Sequence, residues 1–296
     1  MPVLEHDVAL KLDRILLATN FKPESAAAEA FAQGLAAYCL AKVTVAYAVE
    51  LSVVTRSEAA VAGLPIKEAR HNSAVDMESL LERFQQAGIT AHGQVLESHA
   101  PGAAIVGLAN QLHADAIVMG TEARRGLRKF FAGSCAEDVI RHAMCPVFTL
   151  GPKASKVTIG SSGVKNVIFA TDLRHDVIEK AHIALNFAKR NAAKIYLFHV
   201  TNETKTFEAL AELQLSAEAK LRKLIPEPAF EWGCPRVDVA FGEAASRILD
   251  LGKRVDADLI VLGAQRSVTW FPHLTRGVVD QVLAEAECPV MTICTD

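Results

Sequence analysis

Short apolar segments alternate with longer helical segments along the whole chain. A continuous apolar run such as Ala116–Met119 is typical of a buried strand in a parallel sheet. The pattern predicts strands near residues 14–19, 42–48, 92–97, 115–119 and 146–150, and again near 166–171, 193–200, 236–241, 258–262 and 289–294. It predicts helices at about 24–40, 65–87, 102–113, 134–143, 207–224, 244–254 and 277–286. Such alternation predicts an α/β fold with doubly wound parallel sheets.

Three pairs of similar segments indicate that one unit occurs twice. Ile15–Asn20 returns as Val167–Asp172, Ala114–Gly120 as Ala257–Gly263, and Cys145–Leu150 as Cys288–Ile293. The first pair is offset by 152 residues and the other two by 143, so one duplication with a nine-residue difference explains all three. We therefore predict two five-stranded domains: domain 1 over residues 1–151, a glycine- and serine-rich linker over 152–164, and domain 2 over 165–296.

A glycine-containing loop follows the fourth strand of domain 1. Gly120 ends that strand, and Gly133 and Ser134 begin the next helix. Doubly wound sheets bind ligands beyond the carboxyl ends of their strands, and a helix N-terminus favours an anion. Glycine also lets the backbone approach a ligand closely. The loop therefore predicts a phosphate site, although plain turn chemistry explains the same glycines.

Composition and charge indicate which partners and which location to expect. The net charge is −3 and no basic block occurs, so nucleic acid is not an expected partner. No apolar run approaches the roughly 20 residues of a membrane helix, and residues 1–14 lack the apolar core of a signal peptide. We therefore expect a cytoplasmic location and no membrane partner. The six cysteines, at 39, 135, 145, 234, 288 and 294, are expected to be reduced thiols, and no metal site is predicted.

Taken together, these motifs resemble the universal stress protein family. Nucleotide-binding members of that family have a Gly-x-x-Gly-(nine residues)-Gly-Ser/Thr loop after strand four. Gly120, Gly133 and Ser134 match this spacing, and Ala123 replaces the second glycine. The flanking segments that match are Ile117–Gly120, Val139–Ile140, Cys145–Val147, Ala170–Asp172, Phe198–Val200 and Cys288–Val290. The resemblance spans both domains and implies a five-stranded doubly wound fold in each.

The resemblance implies that domain 1 binds ATP or a related adenine nucleotide, with or without Mg²⁺. Asn20 stands where the family has an aspartate beside adenine and ribose, and Ala48 matches the position that packs on adenine. Glu122 places a negative charge near the expected phosphates, which Arg124 and Arg125 could offset. The implied nucleotide-binding residues are Ala18, Thr19, Asn20, Ala48, Met119, Gly120, Ala123, Gly133, Ser134 and Cys135.

Domain 2 departs from the family at the loop. It keeps Asp172, but Arg266 and Arg276 replace two glycines and Gly277 replaces the serine. These changes favour a site lost for ATP, while a site remodelled for a smaller anion stays open. The residues of this remnant site are Thr171, Asp172, Val200, Gly263, Arg266, Arg276 and Gly277.

The resulting functional hypothesis is a regulatory or stress-protective nucleotide-binding protein. No general base or activated nucleophile can be named near the expected phosphates, so any ATP hydrolysis should be slow. A nucleotide-free interaction scaffold is the main alternative, and a true enzyme is a further one. In this family the final strands commonly pair domain with domain, so we expect Val147, Phe148, Val290 and Met291 to be buried between the domains. Homodimerisation stays open.

Overall fold

The computed structural model describes residues 11–51, 59–121, 134–154, 163–174, 176–201, 207–227, 229, 235–264 and 277–294, with the backbone alone at 59–72, 134 and 207–208. Its strands are β1 (Arg14–Ala18), β2 (Lys42–Glu50), β3 (Ala91–Ser98), β4 (Ala116–Gly120), β5 (Val147–Leu150), β6 (Asn166–Ala170), β7 (Lys194–Thr201), β8 (Arg236–Phe241), β9 (Leu259–Ala264) and β10 (Val290–Cys294). Its helices are α1 (Ala26–Cys39), α2 (Ala59–Gln86), α3 (Pro101–Leu112), α4 (Ser134–His142), α5 (Val177–Arg190), α6 (Phe207–Arg222), α7 (Ala244–Arg254) and α8 (Val278–Glu285).

The two halves have the same strand order. The sheet runs β3-β2-β1-β4-β5 and continues as β10-β9-β6-β7-β8, which is the same order read from the other end. Pairing is parallel within each half. The predicted doubly wound α/β fold with two five-stranded halves is therefore confirmed.

Local geometry repeats as well. The left-handed residues Phe21 and Leu173 follow β1 and β6, with φ values of 57° and 59°. At the start of the same strands, Asp115 accepts the N–H groups of residues 13 and 14, and Asp258 accepts those of residues 165 and 166. Since these contacts recur at corresponding positions, the duplication extends to the turns that shape each sheet.

Helix α2 differs from the sequence prediction at its N-terminus. The prediction began this helix at Pro65, a residue type that is favoured in a first turn. The structure begins it at Ala59, so Pro65 lies within the helix. The segment before Pro65 contains Ala59, Ala60 and Ala62, and alanine has the strongest intrinsic helix propensity. The helix propensity of these alanines explains why the helix begins before Pro65.

The two final strands join the halves. β5 pairs antiparallel with β10, and Phe148 lies opposite Met291. Val147, Phe148, Val290 and Met291 are each at most 1% exposed. The predicted pairing and burial of the final strands are confirmed, and two edges that would otherwise expose unpaired backbone groups are covered.

Aromatic side chains cover one face of the junction between β5 and β10, called the seam. The Phe148 ring lies 5.6 Å from the ring of Phe31 in α1 and 5.8 Å from the ring of Phe187 in α5, measured between centroids. On α8, the backbone of Leu283 comes so close to Gly151 that a Cβ there would lie 1.9 Å from the Leu283 carbonyl oxygen. Both contacts bring helices of one domain against residues of the other, so the domains share a packed core.

Two glycines of α3 provide a matched stability test. A Cβ at Gly102 would lie 2.5 Å from Cβ of Asp138 in α4, whereas a Cβ at Gly107 would meet nothing within 4 Å. Gly107→Ala should therefore raise the free energy of unfolding by about 0.5–1 kcal/mol through helix propensity. Gly102→Ala should lower it by about 1–3 kcal/mol through overpacking. Urea denaturation measures both, and equal effects at the two positions would contradict this packing of α3 on α4.

Candidate functional site

A cavity lies at the carboxyl ends of the strands of domain 1. Strand order reverses between β1 and β4, which is where doubly wound sheets bind ligands. The cavity has a volume of about 540 Å³. Its described lining residues are Ala18, Thr19, Asn20, Lys22, Ser25, Tyr47, Ala48, Val49, Glu50, Pro101, Ile105, Met119, Gly120, Cys135 and Ala136. The topology thus brings three strand ends and the starts of two helices to one place.

Seven residues predicted from the sequence line this cavity: Ala18, Thr19, Asn20, Ala48, Met119, Gly120 and Cys135. Ser134 is the first residue of α4, and Ala123 and Gly133 lie outside the described residues. Sequence reasoning missed Lys22, Ser25, Tyr47, Val49, Glu50, Pro101, Ile105 and Ala136. Several of these neighbour a motif residue in sequence, and the alternation of a strand alone does not tell which of them faces a ligand.

The turn after β1 is held by its own side chains. Thr19 Oγ1 accepts the N–H of Phe21 at 3.0 Å. Asn20 Oδ1 accepts the N–H of Lys22 at 3.1 Å and the hydroxyl of Ser25 at 2.6 Å. The side-chain oxygen of Asn20 is therefore hydrogen-bonded within the turn, and this fixes the direction of the side-chain amide group at the cavity wall.

The buried carboxylate of Glu29 stabilises this turn through a hydrogen bond from Thr19. Thr19 Oγ1 donates to Glu29 Oε1 at 2.8 Å, and Arg83 Nη2 lies 2.8 Å from Glu29 Oε2. Glu29 is 6% exposed, so both of its oxygens need partners, and Arg83 supplies the opposite charge. Domain 2 has the fully buried Ala181 at the corresponding position of α5. The carboxylate is a feature of domain 1, and no motif pointed to it.

Apolar and aromatic groups form the wall beside β2. The rings of Phe21 and Tyr47 pack with centroids 5.2 Å apart. Ala48 and Val49 continue the wall along the end of β2. A small residue at position 48 leaves room for a flat group, and Tyr47, packed against Phe21, limits the cavity on that side.

Gly120 has a packing role of its own. A Cβ at this position would lie 3.1 Å from the carbonyl oxygen of Glu24, in the 3₁₀ turn Pro23–Ser25. The end of β4 therefore approaches the β1–α1 connection closely, whether or not a ligand is bound. Close packing is therefore a sufficient reason for a glycine here, as the turn at the strand end was in the sequence analysis.

Cys135 lies in the first turn of α4 and lines the cavity. Burial raises the pKa of its thiol from 9.0 to about 11, and the negative charges of Asp138 and Glu50 add to the rise. A helix N-terminus stabilises a thiolate, but here desolvation outweighs that effect. Cys135 is therefore a neutral thiol at physiological pH and not a nucleophile.

This pKa predicts the alkylation behaviour of Cys135. In the native chain its reaction rate with iodoacetamide should keep rising up to about pH 11, because only the thiolate reacts. After unfolding in urea the rate should level off near the ordinary value of 9.0. Mass spectrometry of the Cys135 peptide measures both profiles. A native profile that levels off with the unfolded one would contradict the buried, protonated thiol.

The corresponding pocket in domain 2 is much smaller, about 150 Å³. Four residues named from the sequence line it, Thr171, Asp172, Val200 and Gly263, together with Ala170, Lys180, Phe198, Ala244, Ile248, Leu262, Val278 and Val279. Gly277 is the N-cap residue of α8. Arg266 and Arg276 lie outside the described residues.

Asp176 of domain 2 does not act as its residue type and position predict. Its position before α5 predicts an N-capping side chain, and it does occupy the N-cap position. Its side chain makes no capping hydrogen bond, however, and pairs instead with the ammonium group of Lys180. The salt bridge competes successfully because Lys180, one turn later, is buried and needs a partner for its charge.

The histidines and cysteines form no metal site within the described residues. His99, for which the sequence suggested no role, has Nδ1 2.5 Å from the carbonyl oxygen of Leu51, and His199 has Nδ1 2.8 Å from that of Thr171. Both imidazoles thus serve as links between strand ends and neighbouring backbone. Among the helices described, none is long and apolar enough to cross a membrane.

Comparison with known proteins identifies the family. The model of the universal stress protein family matches residues 11–150 and again residues 163–293. The chain belongs to the universal stress protein family. Universal stress protein MJ0531 of Methanocaldococcus jannaschii is 30% identical over 143 residues, which cover 45% of this chain and 84% of that protein. The resemblance seen in the loop and strand motifs is thereby confirmed for both halves.

Two solved structures share the tandem fold of this universal stress protein. One is a universal stress protein of Archaeoglobus fulgidus DSM 4304, with a TM-score of 0.71, 17% identity, and coverage of 96% of this chain and 99% of that one. The other is a protein of unknown function from Pseudomonas aeruginosa PAO1, with a TM-score of 0.66, 16% identity, and coverage of 98% and 95%. At these identities they support the architecture of both halves together and nothing finer.

Proposed function

We propose that the chain binds an adenine nucleotide, ATP or a close relative, in the cavity of domain 1, and that binding regulates an interaction of the protein. The observation that carries this is the contrast between the two domains. Ligand sites are typically about 300–1,000 Å³, and the domain 1 cavity, at about 540 Å³, lies in that range. The domain 2 pocket, at about 150 Å³, does not.

Each part of the cavity suits one part of a nucleotide. The wall of Ala48 and Val49 beside the Phe21–Tyr47 pair offers apolar surface for a flat base. Across the cavity, α4 begins at Ser134, and the N–H groups of its first turn and its dipole favour phosphate. Asn20 and Thr19 lie between these two regions, where the ribose would be. Mg²⁺ would enter as part of the nucleotide complex and reduce the phosphate charge.

Regulation fits the cavity better than rapid chemistry does. Its described lining includes one carboxylate, Glu50, which is exposed, and no histidine. Cys135 is held as the neutral thiol. A phosphate-transfer enzyme needs a positioned base or water-orienting group. Any ATP hydrolysis is therefore expected to be slow.

Mass spectrometry of the small molecules released from the natively purified chain tests the ligand class. We expect an adenine nucleotide, at up to one molecule per chain. Titration with ATP, ADP, AMP, cAMP and GTP then ranks the ligands; cAMP is included because one universal stress protein has been crystallised in complex with it. Adenine nucleotides should bind and GTP should bind more weakly. Failure of every nucleotide to bind would favour the interaction scaffold.

A further inference from the structure

Lys180 occupies the carboxyl end of the domain 2 sheet with a buried charge. Its side chain is 7% exposed, and its ammonium pairs with Asp176. Lys180 Nζ also donates to the carbonyl oxygen of Ala264 at 3.3 Å. A Cβ placed on Gly263 would lie 3.0 Å from Lys180 Cδ and 3.1 Å from Nζ. The ammonium group therefore lies directly against the last two residues of β9.

Domain 1 has a short side chain at the same place. Ala28 of α1 corresponds to Lys180, and Gly120 corresponds to Gly263. Ala28 is fully buried, and its Cβ would be 3.8 Å from a Cβ on Gly120. Ala28 thus lacks the four outer side-chain atoms that Lys180 places beside the strand end in domain 2.

Other positions differ as well, and one change is large: Ala46 of domain 1 corresponds to Phe198, which lines the domain 2 pocket. Ala18, Thr19, Ile105 and Gly120 have the same residue types at their domain 2 counterparts. Ala48 becomes Val200 and Ala136 becomes Val279, each a gain of two carbon atoms. The replacement of Ala28 by Lys180 adds fewer atoms than Phe198 does, but it alone places a buried ammonium, with its own counterion, against the end of β9.

We infer that Lys180 is an internal occupant that, beside the bulk of Phe198, helps to close domain 2 to nucleotide. The inference rests on the proposed nucleotide binding by domain 1. Because Asp176 neutralises the ammonium, Lys180 offers little net attraction to a phosphate. Moving it aside would separate a buried ion pair, which is costly. The side chain therefore excludes a nucleotide and does not recruit one.

Ala28→Lys transplants the occupant into domain 1. Glu24 lies one turn earlier, at the position corresponding to Asp176, so the new lysine has a carboxylate partner. Calorimetric titration with ATP should show affinity weakened by more than about thirtyfold. Ala30→Lys, the same substitution at an exposed position of α1, is the control and should keep full affinity. Ala28→Met fills the space without the charge and covers the case in which Ala28→Lys fails to fold. Full affinity in folded Ala28→Met or Ala28→Lys would overturn the inference.

The converse experiment opens domain 2. Phe198→Ala combined with Arg276→Gly should leave one ATP bound per chain, and adding Lys180→Ala to these two changes should give a second. Adding Lys189→Ala to the same two changes is the matched control, since Lys189 is an exposed lysine of the same helix. A count that stays at one in the Lys180 variant would overturn the inference and leave the proposed function intact.

The two ideas fail separately. If the unmodified chain binds no ATP, the proposed function fails. ATP binding by the domain 2 variant still tests the role of Lys180. ATP uptake by the chain carrying Lys180→Ala, Phe198→Ala and Arg276→Gly, but not by the chain without Lys180→Ala, would then support closure by the lysine. No uptake would overturn it.

Discussion

Replacing Phe148 by alanine is expected to lower the free energy of unfolding by about 3–5 kcal/mol, because a fully buried ring is removed from a packed seam. That ring contacts Phe31 of α1 and Phe187 of α5, at centroid distances of 5.6 and 5.8 Å. It therefore joins helices of both domains as well as the two final strands. We expect the loss to appear as faster hydrogen exchange of the amides of β5 and also of β10.

Phe84→Ala is the control for this experiment. Phe84 is 1% exposed and lies in α2, away from the seam, so its truncation should cost a similar free energy within domain 1. Exchange at β10 should then change much less than in Phe148→Ala. Denaturant titration gives the free energies, and exchange mass spectrometry gives the location. An unchanged β10 in Phe148→Ala would show that the domains are not coupled through this ring.

Replacing Gly133 by arginine is expected to abolish ATP binding. Gly133 lies outside the described residues but immediately precedes α4, whose first turn supplies the N–H groups for phosphate. An arginine side chain there would fill the space in which backbone must approach the phosphates. Losing two or three charge-assisted hydrogen bonds at roughly 1.5–3 kcal/mol each would reduce the affinity far below the detectable range.

Arg276→Gly is the matched control because residue 276 corresponds to Gly133 in domain 2. Its substitution should leave the main ATP affinity unchanged. Calorimetry compares the two variants with the unmodified chain, and circular dichroism verifies that both are folded. Retained affinity in folded Gly133→Arg would remove the phosphate role from this loop and favour the scaffold.

The fold was predictable because its signals are repeated. The β-strand at Ile15–Ala18 and its counterpart at Val167–Ala170 have the same apolar pattern, and each is followed by the same threonine turn. Alternation of strands and helices then leaves few topologies. The seam was predictable from two apolar final strands that would otherwise form exposed edges. The start of α2 was not, because proline and alanine gave opposing local signals.

The cavity wall was predictable where it coincides with a motif and not elsewhere. Asn20, Ala48 and Gly120 stand at strand ends that the topology brings together. Glu29 and Lys180 gave no signal, since a charged residue on a helix is ordinarily solvated. Their importance depends on burial and on partners distant in sequence, such as Arg83 for Glu29 and Ala264 for Lys180. Only three-dimensional packing reveals such pairs.

The number of ATP molecules bound per chain, and the domain that holds them, test the central claim most directly. Ala48→Trp fills the wall of the domain 1 cavity, and Val200→Trp makes the corresponding change in domain 2. In calorimetric titrations we expect one ATP per unmodified chain, none for Ala48→Trp, and one for Val200→Trp. Equal loss in both variants, or loss in Val200→Trp alone, would contradict binding in domain 1.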